Sequence, residues 1–352
     1  MKGEKSMKMH FAVGMGRSEK MDEIGDHARV AEESGFSFLT LVDVQNMCRD
    51  VYALMAIAAL NTDHIWIGQG VTVPFTRHPS VTANATASID ELSGGRVFLG
   101  IGAGGVALRV MDMGPLSAQR FRDEVEFIKK FMSGEEVEWD GVKMHSQWSR
   151  KSVPVYMSAS GPKSLQLAGE LADGIVFPSN ANPTVVKWRM EQIERGAIKV
   201  GRDPSEIDVW ARGVIYVTDS QDEAHREVAG YAVNAARGLY SQLKKKDLNP
   251  EFTDLRNRLE KEHPGLLDEC RRVHKEWDEY QIERVDTPSA KKVTQRITDE
   301  TQLCGTPEEI CDKIHNLGKL GINTIGTVTY SIFDKKGMMR EIGEKIMPNF
   351  SQ

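Results

Sequence analysis

WIGQGVTVPFTRHPSVTANATASIDELSGGRVFLGIGAGG, residues 66–105, has the pattern of a strand, a helix and a second strand. Both apolar strand segments run into turns rich in glycine, and the helix is predicted from about Ser80 to Leu92, where SGG stops it. In such a unit both turns lie on the same side. An apolar floor beside open backbone N–H groups suits a flat, anionic cofactor.

The same alternation runs through the rest of the chain. Helix-start signals include Asp50 before a helix at 50–60, Gly161 with Pro162, and Ser18 before a helix that extends to about Ser34. Eight strands are predicted, at residues 8–13, 36–43, 64–68, 96–102, 153–159, 173–177, 206–218 and 321–330. Eight strands that alternate with helices predict an α/β fold in which a parallel sheet closes as a (β/α)8 TIM barrel.

A charged segment interrupts this order before strand eight. Residues from about 240 to 300 are helical in period but too polar for the core of a barrel. We therefore predict one barrel domain over residues 8–352 with an insertion at about 240–300. A solvated helical surface, a lid over the site and a contact between subunits are the three roles that stay open for it.

Composition limits the classes of partner. The 352 residues are 40% hydrophobic and 27% charged, with a formal net charge of −6, so no broad cationic surface for nucleic acid is expected. No apolar run is long enough for a signal peptide or a membrane span, which predicts a cytoplasmic protein without a membrane partner. The four cysteines form no C-x-x-C pair, so neither a disulfide framework nor a metal site is predicted.

A G-x-G-x-x-G match at Gly100, Gly102 and Gly105 follows the fourth strand. A dinucleotide fold would place this motif after the first strand, with a helix at the third glycine and an acidic residue after the next strand. In a barrel, the same glycines lie on the face where active sites are built and allow close approach of a ring or phosphate. A tight turn is the alternative interpretation.

Two polar residues are candidates for catalysis at this face. Asp43 ends the second strand, where it could act as an acid or base or orient a substrate, with helix capping as the alternative. His78 in RHP could donate a proton, although a histidine before proline at a helix entry is more often structural.

Gly70, Val71 and Thr72 end the third strand, where a bulky side chain could press on a planar ring.

The segment from Ser160 to Ser164 is a candidate phosphate site. A helix is predicted to begin there, with Gly161 at the cap, Pro162 in the first turn and Lys163 after it. The first turn of a helix has free backbone N–H groups and the positive end of the helix dipole, both of which attract a phosphate. An ordinary helix cap with an exposed lysine is the alternative.

The chain resembles a known family in two long segments. RHPSVTANATASIDELSGGRVFLGIGAGG (77–105) resembles the signature segment of the bacterial luciferase-like superfamily, and VPVYMSASGPKSLQLAGELADGIVF (153–177) is similar to its methylenetetrahydromethanopterin-reductase-like branch. The likeness covers most of residues 8–230 and resumes at 303–325. It implies a (β/α)8 barrel, commonly dimeric, that binds a flavin-type ring at the carboxyl ends of its strands.

The resemblance also implies roles for particular residues. The Gly70-Val71 peptide bond would be cis and support the ring, and the loop of Gly102, Ala103 and Gly104 would flank the ring. Residues 160–164 would bind the cofactor phosphate. The reductase branch commonly has Asp-His after strand two, whereas this chain has valine at position 44, which removes the usual candidate for proton transfer.

Three functions follow as expectations from the resemblance. The first is an oxidoreductase that uses coenzyme F420 for hydride transfer to or from a small organic substrate. The alternative is an FMN-dependent two-component monooxygenase supplied with reduced flavin by a separate flavin reductase. A non-catalytic flavin-binding protein is the third. A homodimer or higher homo-oligomer is expected in each case.

Overall fold

A computed structural model describes residues 7–351 apart from 115, 179, 246–247, 279, 281–283 and 330–331. Its strands and helices, in chain order, are β1 (His10–Met15), α1 (Met21–Glu33), β2 (Phe38–Leu41), α2 (Val51–Leu60), β3 (Trp66–Gln69), α3 (Pro79–Leu92), β4 (Val97–Gly102), α4 (Val106–Arg109), α5 (Ala118–Met132), β5 (Val137–Trp139), β6 (Val142–Met144), β7 (Val155–Ser158), α6 (Pro162–Leu171), β8 (Gly174–Val176), α7 (Pro183–Lys199), β9 (Asp208–Arg212), β10 (Ile215–Val217), α8 (Gln221–Leu243), α9 (Pro250–Glu262), α10 (Leu266–Lys275), α11 (Gln295–Thr301), β11 (Leu303–Gly305), α12 (Pro307–Gly318), β12 (Thr324–Val328) and α13 (Lys335–Lys345).

Eight of these strands form a closed barrel in the order β1, β12, β9, β8, β7, β4, β3, β2. Every neighbouring pair is parallel. The predicted α/β class and (β/α)8 TIM barrel are therefore confirmed, and the motif at Gly100 to Gly105 ends a barrel strand instead of opening a dinucleotide-binding unit. No helix in the described part of the chain is long and apolar enough to cross a membrane.

Two local predictions differ from the structure. The predicted seventh strand divides at Gly213, because β9 stays in the barrel while β10 pairs with β11 in a separate sheet. Residues 134–152 contain the antiparallel pair of β5 and β6, which lies outside the barrel sheet. Ser18 does not cap α1, since the Glu19 carboxylate accepts the backbone N–H groups of Gly16 and Ser18 and the helix begins only at Met21.

The amino-terminal end of the barrel is filled by aromatic side chains. Asp208 Oδ2 accepts hydrogen bonds from the Tyr156 hydroxyl at 2.8 Å and from Trp210 Nε1 at 2.6 Å. Phe38 and Phe98 pack against the same rings. A ligand therefore has to enter at the opposite end, where the strands have their carboxyl ends; we call that end the mouth.

The charged segment before strand eight is helical, as its period predicts, and it packs against the barrel. α9, α10 and α11 bury apolar side chains that join the main core, among them Leu255, Leu259, Val273 and Ile297. On the outside, Arg258 donates to both carboxylate oxygens of Glu191 on α7, at 2.8 and 2.9 Å. Six positions of this segment, and Tyr330 at the end of predicted strand eight, lie outside the described residues.

One extra residue bulges out of β3 where it approaches the mouth. Gly68 pairs with Phe98, but Thr72 pairs with Ile101, so the β3 side has one residue more than β4 over this interval. The Thr72 N–H donates to the Gly100 carbonyl and the Gly102 N–H to the Thr72 carbonyl, both at 2.9 Å. A Cβ at Gly100 would lie 1.8 Å from the Gln69 carbonyl oxygen. Only glycine permits this approach.

Replacing Gly100 by alanine should lower the free energy of unfolding by roughly 2–4 kcal/mol, because the added methyl group meets backbone that cannot move aside. Gly238 in α8 is the matched control, since a Cβ there meets nothing within 4 Å. Gly238→Ala should raise stability by about 0.5–1 kcal/mol. Urea unfolding followed by circular dichroism measures both, and equal stability of Gly100→Ala and the wild type would contradict the close approach.

Candidate functional site

The floor of the mouth is formed by the segment that follows β3. The Gly70-Val71 peptide bond is cis, as the family resemblance implies. Val71 Cγ2 lies 3.1 Å from where a Cβ would stand at Gly102, and Cγ1 lies 3.5 Å from the equivalent position at Gly100. One branched apolar side chain thus stands over two glycines, which gives a flat ring an apolar surface to lie against.

Asp43, at the end of β2, is buried and fixes this segment in place. Its Oδ2 accepts hydrogen bonds from the Thr72 hydroxyl at 2.6 Å and from Arg77 Nη1 at 2.7 Å. Its Oδ1 accepts from Gln45 Nε2 at 2.8 Å and from Arg77 Nη2 at 3.4 Å. Four donors fill the four lone-pair positions of a carboxylate. The helix-capping alternative does not hold, because Asp50 caps α2.

Arg77 ties the mouth to the start of α2. Besides Asp43, its guanidinium contacts Asp50 Oδ2 at 3.3 Å and lies over the Tyr52 ring, 5.1 Å from the centroid. Burial alone would lower the pKa of Arg77, yet the hydrogen bond and charge of Asp43 outweigh burial and raise its pKa. The arginine stands directly before His78 in the sequence, but no sequence pattern indicates that it reaches Asp43.

His78 caps α3 and packs against α5 and against the antiparallel pair of β5 and β6. Its Nδ1 lies 2.7 Å from the Ser80 hydroxyl and accepts the Ser80 N–H at 3.3 Å. The ring meets Phe127 and Trp139 edge-on, with centroids 6.2 and 6.3 Å apart. These contacts account for the histidine as a helix cap. Its catalytic role stays a prediction that its described contacts do not support.

A second part of the site lies where β4 and β7 end. A cavity of about 290 Å³ joins the loop after β4, the first turn of α6 and the start of α9. Its lining includes Ala103, Gly161, Pro162, Lys163, Ser164, Asn249 and Phe252. The glycine loop and the predicted phosphate segment therefore border one cavity, although they are about 60 residues apart in the chain.

The first turn of α6 is built as expected for a helix that begins with glycine and proline. Gly161 is the N-cap, and the Ser164 hydroxyl accepts its N–H at 3.2 Å while donating to its carbonyl at 2.9 Å. Lys163 is exposed beside the cavity and Ser160 is half-buried before it. Backbone N–H groups of a first helical turn have no partner within the helix, so this turn can bind an anion.

The insertion at 240–300 forms one wall of this cavity, a contact that the sequence analysis did not predict. Phe252 Cζ lies 3.6 Å from where a Cβ would stand at Gly161. Phe252 stacks on the buried Trp188 of α7 with ring centroids 5.7 Å apart, and Trp188 Nε1 donates to the Glu251 carbonyl at 3.0 Å. The start of α9 is thereby anchored beside the first turn of α6.

A separate apolar cluster forms among loops at the carboxyl ends of β2, β3 and β4. Val44, which stands where the reductase branch has histidine, packs with side chains from the loops after β3 and β4: Val73, Ala107, Leu108, Met111 and Met113. The residue that follows Asp43 thus contributes to an apolar wall and carries no group that can transfer a proton.

Like Asp43, a second buried acid of the mouth forms an ion pair with a cationic side chain. Glu19, in the loop after β1, is buried and accepts hydrogen bonds from Lys335 Nζ at 2.7 Å and from the Thr329 hydroxyl at 3.0 Å. Burial alone would raise the pKa of Glu19, but its hydrogen bond and charge interaction with Lys335 lower that pKa below the ordinary value. Neither residue was a sequence candidate, because nothing in the pattern pairs positions 316 residues apart.

These residues fit a flat ring that carries a phosphate on a tail. Gly70, Gly100 and Gly102 let neighbouring atoms pack where a Cβ would stand, namely Thr40 Cβ at 2.6 Å, the Gln69 carbonyl oxygen at 1.8 Å and Val71 Cγ2 at 3.1 Å, so the floor can be flat. The apolar face of Val71 suits the ring, and the first turn of α6 suits the phosphate. The protein therefore belongs to the class of closed (β/α)8 barrels whose mouth can hold a flat ring and a phosphate.

Comparison with known proteins identifies the family. The family model described as luciferase-like monooxygenase matches residues 5–324. The chain is 30% identical to 5,10-methylenetetrahydromethanopterin reductase of Methanolobus tindarius over 352 aligned residues, covering 96% of this chain and 100% of the relative. It is 32% identical to F420-dependent glucose-6-phosphate dehydrogenase of Microbacterium testaceum over 208 residues, covering 53% of this chain and 62% of that relative.

A solved structure agrees with these sequence relatives. The coenzyme F420-dependent tetrahydromethanopterin reductase of Methanopyrus kandleri superposes with a TM-score of 0.78 and 25% identity, covering 98% of this chain and 100% of that one. The chain belongs to the luciferase-like monooxygenase family.

Replacing Asp43 by asparagine should lower the free energy of unfolding by roughly 2 kcal/mol, because Arg77 loses a buried charge partner and keeps only the exposed Asp50. Asp26→Asn is the control, since Asp26 is half-exposed in its pair with Lys336, and exposed pairs contribute about 0–1 kcal/mol. Urea unfolding at pH 7 measures the difference. Equal losses in the two variants would contradict the fixing role of Asp43.

Proposed function

We propose that this protein is an F420-dependent oxidoreductase that transfers hydride to or from a small organic substrate. The observation that carries the proposal is the likeness to 5,10-methylenetetrahydromethanopterin reductase over the full length of that relative. The mouth supports it, because Val71 and the first turn of α6 offer one surface for a ring and another for a phosphate. The deazaflavin, when bound, would supply the hydride chemistry at C5.

The residues of the chain would bind and orient. Gly70, Val71 and Thr72 would lie behind the ring, and the loop of Gly102, Ala103 and Gly104 would flank it. Asp43 would act as a positioning residue, because its four hydrogen bonds hold the Thr72 segment and leave it no free lone pair for a proton. The apolar wall that contains Val44 would keep water away from the reacting face.

The phosphate of the cofactor would bind at the first turn of α6, through Ser160, Gly161, Lys163 and Ser164, with Pro162 fixing the turn. Phe252 of the insertion would cover this end of the cofactor. This contact supports the lid interpretation of the insertion over a purely solvated surface. A homodimer, as the family resemblance implies, is part of the same proposal.

The FMN-dependent monooxygenase is the second candidate, and the description of the matching family model favours it. It would require reduced FMN from a separate flavin reductase. Fluorescence titration of the purified protein with F420 and with FMN separates the two candidates. We expect F420 to bind at least about tenfold more tightly than FMN, a difference of about 1.4 kcal/mol. Micromolar or weaker F420 binding beside tight FMN binding would reject the first proposal.

The same titration tests the phosphate site. Lys163→Glu should weaken binding of the cofactor roughly threefold to thirtyfold, because each charge near a helix end is worth about 0.3–1 kcal/mol and the reversal counts twice. Lys143→Glu on β6 is the control, since this exposed lysine does not line the cavity. An unchanged affinity of Lys163→Glu would remove the phosphate from α6. Tight cofactor binding without turnover on any substrate tried would favour the non-catalytic alternative.

A further inference from the structure

We call the aromatic side chains at the amino-terminal end of the barrel, those of Phe38, Phe98, Tyr156 and Trp210, the aromatic plug, and the layer of the barrel interior directly above it contains several glycines and other small residues. Side chains alternate along a strand, so the positions two residues after the plug side chains also face inward. Gly14 follows Ala12 in this way, Gly100 follows Phe98, and Gly326 follows Thr324, whose hydroxyl contacts Asp208 of the plug. Thr40 and Ser158, also at positions of this layer, are small. The named residues of this layer are therefore small, apart from the one on β9.

Arg212 is the one charged side chain at these layer positions. It lies on β9 two residues after Trp210, the center of the plug, and is therefore directed inward. Its Nε and Cγ lie 3.6 and 3.7 Å from where a Cβ would stand at Gly326 on the neighbouring β12. Glycine at 326 thus provides the room in which the arginine side chain lies.

The guanidinium of Arg212 has no acceptor among the residues that the structure describes. Nε is completely buried and makes no hydrogen bond. The two buried acids of the mouth already have cation partners, Asp43 with Arg77 and Glu19 with Lys335. A buried arginine donor without an acceptor is costly, and neither of these two acids is within salt-bridge distance of Arg212.

We propose that Arg212 binds an oxyanion of the substrate, a carboxylate or a phosphate, in the half of the mouth formed by β9, β12 and β1. The planar guanidinium donates two parallel hydrogen bonds to such a group. This inference rests on the proposed function for the place of the cofactor. The ring would lie over Val71, which follows β3, and β3 is across the barrel from β9 in the strand order, so the Arg212 side of the mouth would be left to the substrate.

Isothermal titration calorimetry with sodium phosphate and with sodium acetate, at constant ionic strength, tests the proposal on the cofactor-loaded and on the cofactor-free protein. The wild type should bind one of the two anions. Arg212→Gln should weaken that binding about tenfold or more, because hydrogen bonds to charged groups contribute roughly 1.5–3 kcal/mol. Preference for phosphate or for acetate distinguishes a phosphorylated substrate from a carboxylic acid.

Three further measurements make the result specific. Arg29→Gln on α1, a half-exposed arginine, should leave anion binding unchanged. Arg212→Lys keeps the positive charge and should retain weak anion binding. If Arg212→Gln does not fold, Arg212→Lys is compared with the wild type in its place. The affinity of Arg212→Gln for the cofactor, measured by fluorescence, should equal that of the wild type.

The proposal is overturned when the wild type binds neither anion, when Arg212→Gln binds the anion as the wild type does, or when its affinity for the cofactor falls by the same factor. The last outcome would place Arg212 against the ring. A failure of the proposed function gives a different set of results. In that case neither F420 nor FMN binds, while anion binding to the cofactor-free protein still depends on Arg212.

Discussion

The mouth of this barrel depends on the close approach of two backbones, where the carbonyl of Gln69 occupies the space that a side chain at Gly100 would need. That approach accommodates the extra residue on β3 and brings Thr72 into register with β4. The bulge in turn directs Val71 over the glycines of β4 and presents the Thr72 hydroxyl to Asp43. The missing Cβ of Gly100 therefore permits the apolar floor at Val71 and places the Thr72 hydroxyl beside the buried ion pair of Asp43 and Arg77.

Charge and space are distributed unevenly around the mouth. On the β2 and β3 side, Asp43 is fully satisfied and rigid, with Arg77 as its partner. On the β9 and β12 side, Gly326 leaves room for the Arg212 side chain, and Arg212 lacks an acceptor among the residues that the structure describes. In the proposed function, the cofactor ring lies on the β2 and β3 side and its phosphate binds at α6. The small anionic substrate binds on the side of β9 and β12, where Arg212 lies.

The alternation of strands and helices sufficed to predict the closed barrel and the rim positions of the glycine turns, because burial on both faces leaves long apolar strands. It also indicated Asp43, since the carboxyl end of a barrel strand is readable from sequence. It could not indicate Arg77 or Lys335 as partners, because ion pairs between distant loops leave no periodic signal. The Ser18 prediction failed because a buried carboxylate, Glu19, competed for the same N–H groups. Phe252 was hidden in a charged segment whose average polarity masks single apolar contacts.

In the proposed function, one mouth holds the ring against Val71 and the phosphate at the first turn of α6. A crystal structure of the protein with F420 bound would show whether both contacts form. We predict ring density in contact with the Val71 side chain, phosphate oxygens within hydrogen-bond distance of the backbone N–H groups of Lys163 and Ser164, and the Arg212 guanidinium free of the cofactor. A ring bound away from the Gly70-Val71 segment, or a phosphate held elsewhere than α6, would contradict the account.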